Sequence, residues 1–593
     1  MPLTHAQGPP PPQAEADEDL TTTLRRRAWA EPDRAILSHH DGAGWQPMTW
    51  SQVHDRVRQL AAGLISLGLD AGDRVALMAN TRIEWTLADY AVLMAGGVTV
   101  PVYETSSASQ CAWILSDAEP RHAIVATADY AKRLEQAHQP PAGLREVCVI
   151  DDGGLDRLAE HACDETRAEV DRRRQALGTD TLASIIYTSG TTGNPKGCML
   201  THGNLLLTAR ATRVTLAELF SPQDSTLLFL PLAHSFARIV QFACVENGVH
   251  TGYARSLETM TEDLPTFRPT FLLGVPRVFE KVFNGAQRKA GGGLTRKLFA
   301  EAVATARAWS IAESPGVATA AKRALFDKAV YAKLRTALGG RVRYAISGGA
   351  PLAPHIAAFF HAAGVPILEG YGLTETSAAT VVNPPRGLRI GTVGRPLAGV
   401  EIKIDEDGEV LLHSPGVFAG YWRNEQATRE AFTADGWYRT GDLGALTNEG
   451  YLEITGRKKE LIVTAGGKNV APAVLEERLK AHRLVSQAMV VGDNRAFVTA
   501  LITLDADELS AFARENALEP GDELADHPRV GAELQAAVDH ANAAVSQAES
   551  VRAFRVLQRD FTEQHGELTP TMKIKRPVVA EHFADEIEEL YRQ

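Results

Sequence analysis

Along its first half the chain repeats one pattern, a short apolar run followed by a stretch of helical period. Runs at 74–79 (RVALMA), 91–102, 122–127 (HAIVAT) and 146–150 (EVCVI) alternate with helical sequence in this way. Strands separated by helices cannot pair as hairpins, so the pattern predicts α/β layers with largely parallel sheets. Further strands are predicted at 182–187, 225–232 and 343–346, with a helix from about 204 to 219. Residues 401–413 read EIKIDEDGEVLLH, two alternating runs about Asp407-Gly408, which is a hairpin signal.

The chain has 593 residues, too many for one ordinary core. After Gly456 the texture changes: GRKKELIVTAGGKNVAP leads into smaller α/β material, with a helix at 474–481 and strands at 487–491 and 497–504. The predicted organisation is a flexible Pro-rich tail over 1–20, a large N-terminal domain of layered α/β sheets over 21–456, and a small mobile α+β C-terminal lid domain over 457–593.

Charge narrows the function. Lys plus Arg number 61 and Asp plus Glu 73, a net charge of −12, which argues against a general nucleic-acid binder. The charge is uneven, since residues 281–336 read as helices and carry 11 Lys or Arg against 3 Asp or Glu. Such a segment suits either a solvated basic face or peripheral docking on anionic lipid. Five cysteines without a Cys-x-x-Cys predict a reducing, cytoplasmic setting. The first twenty residues lack the features of a signal peptide, and the longest apolar stretch, near 90–102, is too short to span a bilayer.

The richest local signal is YTSGTTGNPKG at 187–197. It gathers the hydroxyls of Thr188, Ser189, Thr191 and Thr192, the glycines Gly190, Gly193 and Gly197, and Lys196. Glycines let backbone N–H groups approach an anion, hydroxyls add donors and lysine adds a compact charge, so the loop points to a triphosphate cradle. Pro195 before Lys196 and Gly197 after it exclude a Walker A loop, and there is no Gly-x-Gly-x-x-Gly here. The plain alternative is a polar surface loop between strand and helix.

This loop resembles the signature of the adenylate-forming enzymes, which include acyl-CoA synthetases, peptide-synthetase adenylation domains and luciferases. Further stretches resemble the family's motifs in its order: PLAHSFAR (231–238), SGGAPL (347–352), EGYGLTET (369–376), GWYRTGDLG (436–444), GRKKELIV (457–463) and LTPTMKIKR (568–576). GVPRVFEKVF (274–283), the basic helices after it and TAGGKNVAP (464–472) resemble the long-chain fatty acyl-CoA synthetase branch. The resemblance implies a ligase using ATP, Mg²⁺ and coenzyme A on a long-chain fatty acid. Two other readings are a fatty acyl-AMP ligase serving a carrier protein and a non-catalytic nucleotide or fatty-acid sensor.

By the same resemblance, Lys573 bridges carboxylate and α-phosphate, with Lys575 as competitor because Met572 stands where the family has glycine. Glu375 is implied as a Mg²⁺ ligand together with Thr191. Tyr371, Gly372, Thr374, Gly349 and Ala350 would hold the adenosine moiety, with Gly348 beside them. Asp442 would accept from both ribose hydroxyls, with Arg457 nearby. His234 would sit near the acyl carboxylate, Lys459 at the hinge, and Gly466 and Gly467 along the coenzyme A channel. Phe236, Val275 and Val278 are candidate acyl-pocket positions.

Overall fold

The computed structural model describes residues 3–136, 144–188, 194–256, 258–289, 293–311, 315–518, 524–569 and 572–592. Strand Arg74–Met78 shows how the sequence builds the large domain. Val75 and Leu77 join one apolar cluster while Ala76 and Met78 join another. Consecutive strand residues face opposite ways, so membership of two clusters means that both faces are covered. Its seven-stranded sheet runs Gly420–Tyr421, Lys196–Thr201, Leu182–Thr188, Val98–Pro101, Arg74–Met78, His122–Val125, Glu146–Val149. The last five are mutually parallel, as predicted.

A nine-stranded sheet has a parallel centre of Ile367–Tyr371, Tyr344–Ser347, Phe271–Gly274, Ser225–Leu228, His250–Tyr253 and Ala35–His40. Helices Trp50–Ser66, Ile83–Met94 and Ser235–Asn247 share one apolar cluster with both sheets. The run at 91–102 is therefore not one strand. It is the end of a helix buried on nearly every side, then Gly96 at φ +79°, then strand Val98–Pro101. The helix predicted from about 204 begins at His202, where Thr201 and Asn204 form a reciprocal capping box.

A five-stranded antiparallel sheet completes the large domain: His5–Gln7, Glu401–Ile404, Glu409–His413, Tyr438–Leu446 and Leu452–Arg457. Its presence overturns the expectation of a structureless start. His5–Gln7 pairs with Glu401–Lys403, Glu18 is bound by Arg210, and Asp19 and Leu20 are buried. Residues too polar to form a core of their own borrow the edge of a sheet formed four hundred residues later, which composition does not reveal.

Ile454 packs with the large core, whereas Ile462 opens a separate one that draws on later residues only. That smaller unit is built on strands Val485–Val491, Val498–Leu504 and Val551–Val556, with helices Pro472–Lys480, Ala506–Glu515 and Pro528–Asn542.

Candidate functional site

The site lies where the five-stranded sheet, the loop after Ile367–Tyr371 and the small unit meet. Asp442 and Arg457 are register partners on adjacent antiparallel strands. Arg457 Nε donates to Asp442 Oδ1 at 2.7 Å, and the Tyr371 hydroxyl donates to Asp442 Oδ2 at 2.7 Å. The Asp442 carboxylate, almost fully buried, is thus fixed from two sides. Burial works against the Arg457 charge, but the Asp442 charge and hydrogen bond overcome it and hold the guanidinium more firmly protonated than usual.

After Tyr371 the chain turns sharply. A Cβ on Gly372 would lie 1.3 Å from the Ala378 carbonyl oxygen, so no other residue fits there. Ser377 and Ala378 take φ of +56° and +73°, uncommon for side chains of their kind. This turn presents Thr374–Thr376, a short 3₁₀ segment. Glu375 Oε1 accepts from the Tyr421 hydroxyl at 2.9 Å, and the Tyr421 ring lies 4.9 Å from Lys196 Nζ. Tyr421 therefore couples the glutamate to the lysine of the phosphate loop, a residue that the motifs alone did not single out. Thr188 and Lys196 face each other across the hairpin, Thr188 Oγ1 donating to the Lys196 carbonyl at 3.4 Å. Ser189, Gly190, Thr191, Thr192 and Gly193 lie outside the described residues.

His234 caps helix Ser235–Asn247, its Nδ1 accepting from the Phe236 N–H at 3.0 Å. With Nδ1 an acceptor, the neutral ring carries its proton on Nε2. Burial, reinforced by the charge of Lys573, pushes its pKa down to about 4. Next to it, Ser235 Oγ lies 3.3 Å from Thr374 Oγ1. Gly349 takes φ +85°, where an added Cβ would lie 3.9 Å from Val275 Cγ1, and Ala350 is exposed. A Cβ on Gly348 would come within 3.1 Å of the Phe236 ring.

Lys573 enters from the small unit on a hairpin closed by the Leu568–Ile574 bridge. The Lys573 N–H donates to Thr569 Oγ1 at 3.0 Å. Surrounding protein and Arg457 lower its ammonium pKa, while Asp442, Glu460 and Glu375 pull the other way. It remains accessible to solvent. Lys575 stands at the start of helix Arg576–His582, where its charge is felt by Glu563. Of the two candidate lysines, Lys573 is the one that feels the charges of Arg457, Asp442, Glu460 and Glu375.

Comparison with known proteins agrees with this architecture. The AMP-binding enzyme family matches residues 24–422, and the AMP-binding enzyme C-terminal domain matches 459–593. This chain belongs to the AMP-binding enzyme family. It is 48% identical over 572 residues to the long-chain-fatty-acid–CoA ligase FadD15 of Mycobacterium bovis, covering 95% of each chain. A Xenopus laevis long-chain-fatty-acid–CoA ligase is 30% identical, with 94% of this chain and 82% of that one covered. Among solved structures, o-succinylbenzoate coenzyme A synthetase from Bacillus subtilis with AMP aligns at TM-score 0.69 and 22% identity over 94% and 97% of the two chains. The adenylation–carrier didomain of a Segniliparus rugosus carboxylic acid reductase aligns at TM-score 0.74 and 23% identity over 98% and 82%.

Other motif residues of this AMP-binding enzyme fall into place unequally. Lys459 sits in a 3₁₀ turn, Lys458–Glu460, between the two cores. Its neighbour Lys458 is tied to Asp407 at 2.5 Å and Glu409 at 3.1 Å, whereas Lys459 has no ion pair among the described residues. Gly467, at φ +76°, turns the chain between Ile462–Val463 and Asn469–Val470. A Cβ there would meet open space, and Gly466 is nearly as free. The hydrogen bond of the Ala465 N–H to the Arg495 carbonyl and the Lys468–Glu549 ion pair tie this turn to the small unit.

Proposed function

We propose that the chain is an ATP-dependent ligase joining long-chain fatty acids to coenzyme A. The carboxylate attacks the α-phosphorus of ATP, a P–O bond forms and pyrophosphate leaves. The coenzyme A thiolate then attacks the acyl carbon of the acyl-AMP and AMP leaves. The first step joins two anions, so it needs positive charge and placement more than proton transfer.

One observation carries this reading: Lys573 of the small unit stands within electrostatic reach of Asp442, Arg457, Glu375 and His234 of the large one. In this reading Lys573 spans carboxylate and α-phosphate, and neutral His234 offers Nε2–H without adding a competing charge. Asp442 accepts from the ribose diol, and Lys196 with the loop before it holds the phosphates. Thr188 supports that loop. Tyr371, Gly372, Thr374, Gly349 and Ala350 border the adenosine.

No cluster of three metal-ligating side chains occurs among the described residues. A single carboxylate beside a phosphate loop nevertheless suits Mg²⁺, which takes few protein ligands and completes its shell with phosphate oxygens and water. Glu375, already oriented by Tyr421, would hold it, and the ion would neutralise phosphate charge. Lys459 is the proposed hinge. Gly466 and Gly467 would line the coenzyme A path once the small unit has rotated.

No helix among the described residues is long and apolar enough to cross a membrane. Leu294, Leu298, Val317 and Leu325 are nevertheless exposed on the basic helices, near Lys297, Lys322 and Lys328, which have no ion pair among the described residues. This mixture supports peripheral docking on anionic lipid from the cytoplasmic side. Release of AMP and formation of acyl-CoA across fatty acids of increasing length tests the ligase reading. No AMP release with any fatty acid would overturn it, and AMP release without thioester on free coenzyme A would move it to a carrier-protein ligase.

A further inference from the structure

The basic helices have a second role that reaches across the molecule. Arg277 and Arg288 lie eleven residues apart on helix Pro276–Lys289, three turns on one face. Each meets a carboxylate of the small unit, Arg277 Nη2 to Asp505 Oδ2 at 3.0 Å and Arg288 Nη1 to Glu508 Oε1 at 2.5 Å. From the next helix, Arg296 Nη1 reaches Glu515 Oε2 at 2.9 Å. Two of the three acids are also held within the small unit. Asp505 caps helix Ala506–Glu515, its Oδ1 accepting from the N–H groups of Asp507 and Glu508 at 3.1 Å. Glu515 is also held by Arg483 of its own unit at 3.0 Å.

The three pairs are not equivalent. The arginines keep 39–49% of their side-chain surface, and exposed pairs of this kind contribute about 1 kcal/mol or less each. Glu508 differs, with 4% of its side chain exposed and Arg288 as its ion-pair partner. Removing Arg288 leaves a buried carboxylate without a counter-charge, a far less favourable state. Both stripes are made of charges that the first step does not use, and they join the two units whose apposition brings Lys573 to Asp442.

We propose that Arg277, Arg288 and Arg296 with Asp505, Glu508 and Glu515 form an ionic clasp that holds the small unit in the arrangement for acyl-AMP formation. They are positioning residues, with Arg288–Glu508 as the central pair. The proposal rests on the ligase reading above. The clasp must open for the small unit to rotate, so its strength sets how the enzyme's time divides between the two half-reactions.

The test uses the full-length chain with Arg288→Glu, Glu508→Arg and the double exchange. Pyrophosphate release from fatty acid and ATP reports the first step, and thioester formation from supplied acyl-AMP and coenzyme A reports the second. Each single reversal is expected to slow the first step by at least about tenfold, less than the full penalty of a broken buried pair because the small unit can swing away and return the carboxylate to water. The second step should hold or quicken, and the double exchange should bring the first back to within about twofold of the original. Raising ionic strength should lower the ratio of first to second step in the unaltered protein, because the arginines are half exposed. Equal loss in both steps, or a double exchange as impaired as the singles, overturns the clasp. Should the unaltered protein release no pyrophosphate, the ligase reading fails first. The clasp is then judged by the distance distribution between spin labels on the two units. It should broaden in the single variants and narrow again in the double, and no change among the variants would overturn the clasp.

Discussion

Arg238 and Asp89 form a two-pronged ion pair, 2.6 Å and 3.0 Å, with 1% and 0% of their side chains exposed. Arg238 also donates to Ser184 Oγ at 2.6 Å and lies over the rings of Trp85 and Phe242. It belongs to PLAHSFAR, one turn beyond His234, so the motif carries an anchor as well as a site residue. Three elements meet there: the helix that His234 caps, helix Ile83–Met94 and strand Leu182–Thr188. Asp89→Ala leaves a buried guanidinium without its carboxylate and should destabilise the large domain by about 3–5 kcal/mol. Denaturant unfolding followed by intrinsic tryptophan fluorescence checks this, and a change below about 1 kcal/mol would show that the pair is dispensable.

The two candidate lysines separate cleanly in an assay. Lys573→Ala should reduce acyl-AMP formation by about a hundredfold or more, the scale of removing one electrostatic contact to a developing charge. Thioester formation from supplied acyl-AMP should stay within about threefold of the original, well under one tenfold step. Lys575→Ala, changed at a residue whose charge is felt by Glu563, should leave the first step nearly intact. Equal loss of both half-reactions in Lys573→Ala would argue against its role.

Two carboxyls, one in each unit, are held above the usual carboxylate range by burial. Burial raises Glu369 to about 7, Glu477 adding to the shift, and burial likewise raises Glu477 to about 7. In the unfolded chain such groups titrate near 4.5. A raised folded-state pKa stabilises the protonated folded form, so this contribution is complete below about 4.5 and is lost as pH rises through about 7. His234 acts in the opposite direction. Its pKa falls from 6.5 to about 4, so it withdraws stability as pH drops across that window. Thermal melts from about pH 5 to 8 should show Glu477→Gln flattening the decline between about pH 5 and 7, with the slope above about 7 unchanged. An unchanged slope in Glu477→Gln would remove this carboxyl as its source.

The layered fold was legible because it follows from local pattern. The strand at 74–79 alternates between two clusters, and 401–413 is the hairpin that Asp407-Gly408 predicts. The run at 91–102 misled because a helix buried all round and a buried strand have the same composition. Contacts distant in sequence were illegible for a different reason. Nothing near His5 announces its pairing with Lys403, and nothing near Tyr421 announces Glu375 or Lys196. The motifs singled out Asp442 and Lys573 as candidates, but that Arg457 and Tyr371 grip the same Asp442 carboxylate depends on strand register and a tight turn. The basic segment was visible as a charge excess, whereas its acidic partners lie more than two hundred residues further along.

Met572 explains how this chain manages without the glycine that the family resemblance implies before Lys573. It takes φ +62°, in the left-handed region where glycine rests without strain, and its side chain is largely exposed. The turn is held by the Met572 N–H donating to the Thr569 carbonyl at 2.8 Å and by the Lys573 N–H on Thr569 Oγ1 at 3.0 Å. A residue with a Cβ in this conformation costs roughly 1–2 kcal/mol, here offset by hydrogen bonds that fix the lysine. Met572→Gly should relieve that strain, raising stability by about 1 kcal/mol while keeping the first step within about twofold. Met572→Val, whose branched side chain tolerates the left-handed region less well, should lower stability and slow the first step more than the second. Denaturant unfolding and the two half-reaction assays check both variants. If glycine destabilised as much as valine, the methionine side chain itself, and not the backbone turn, would be what places Lys573.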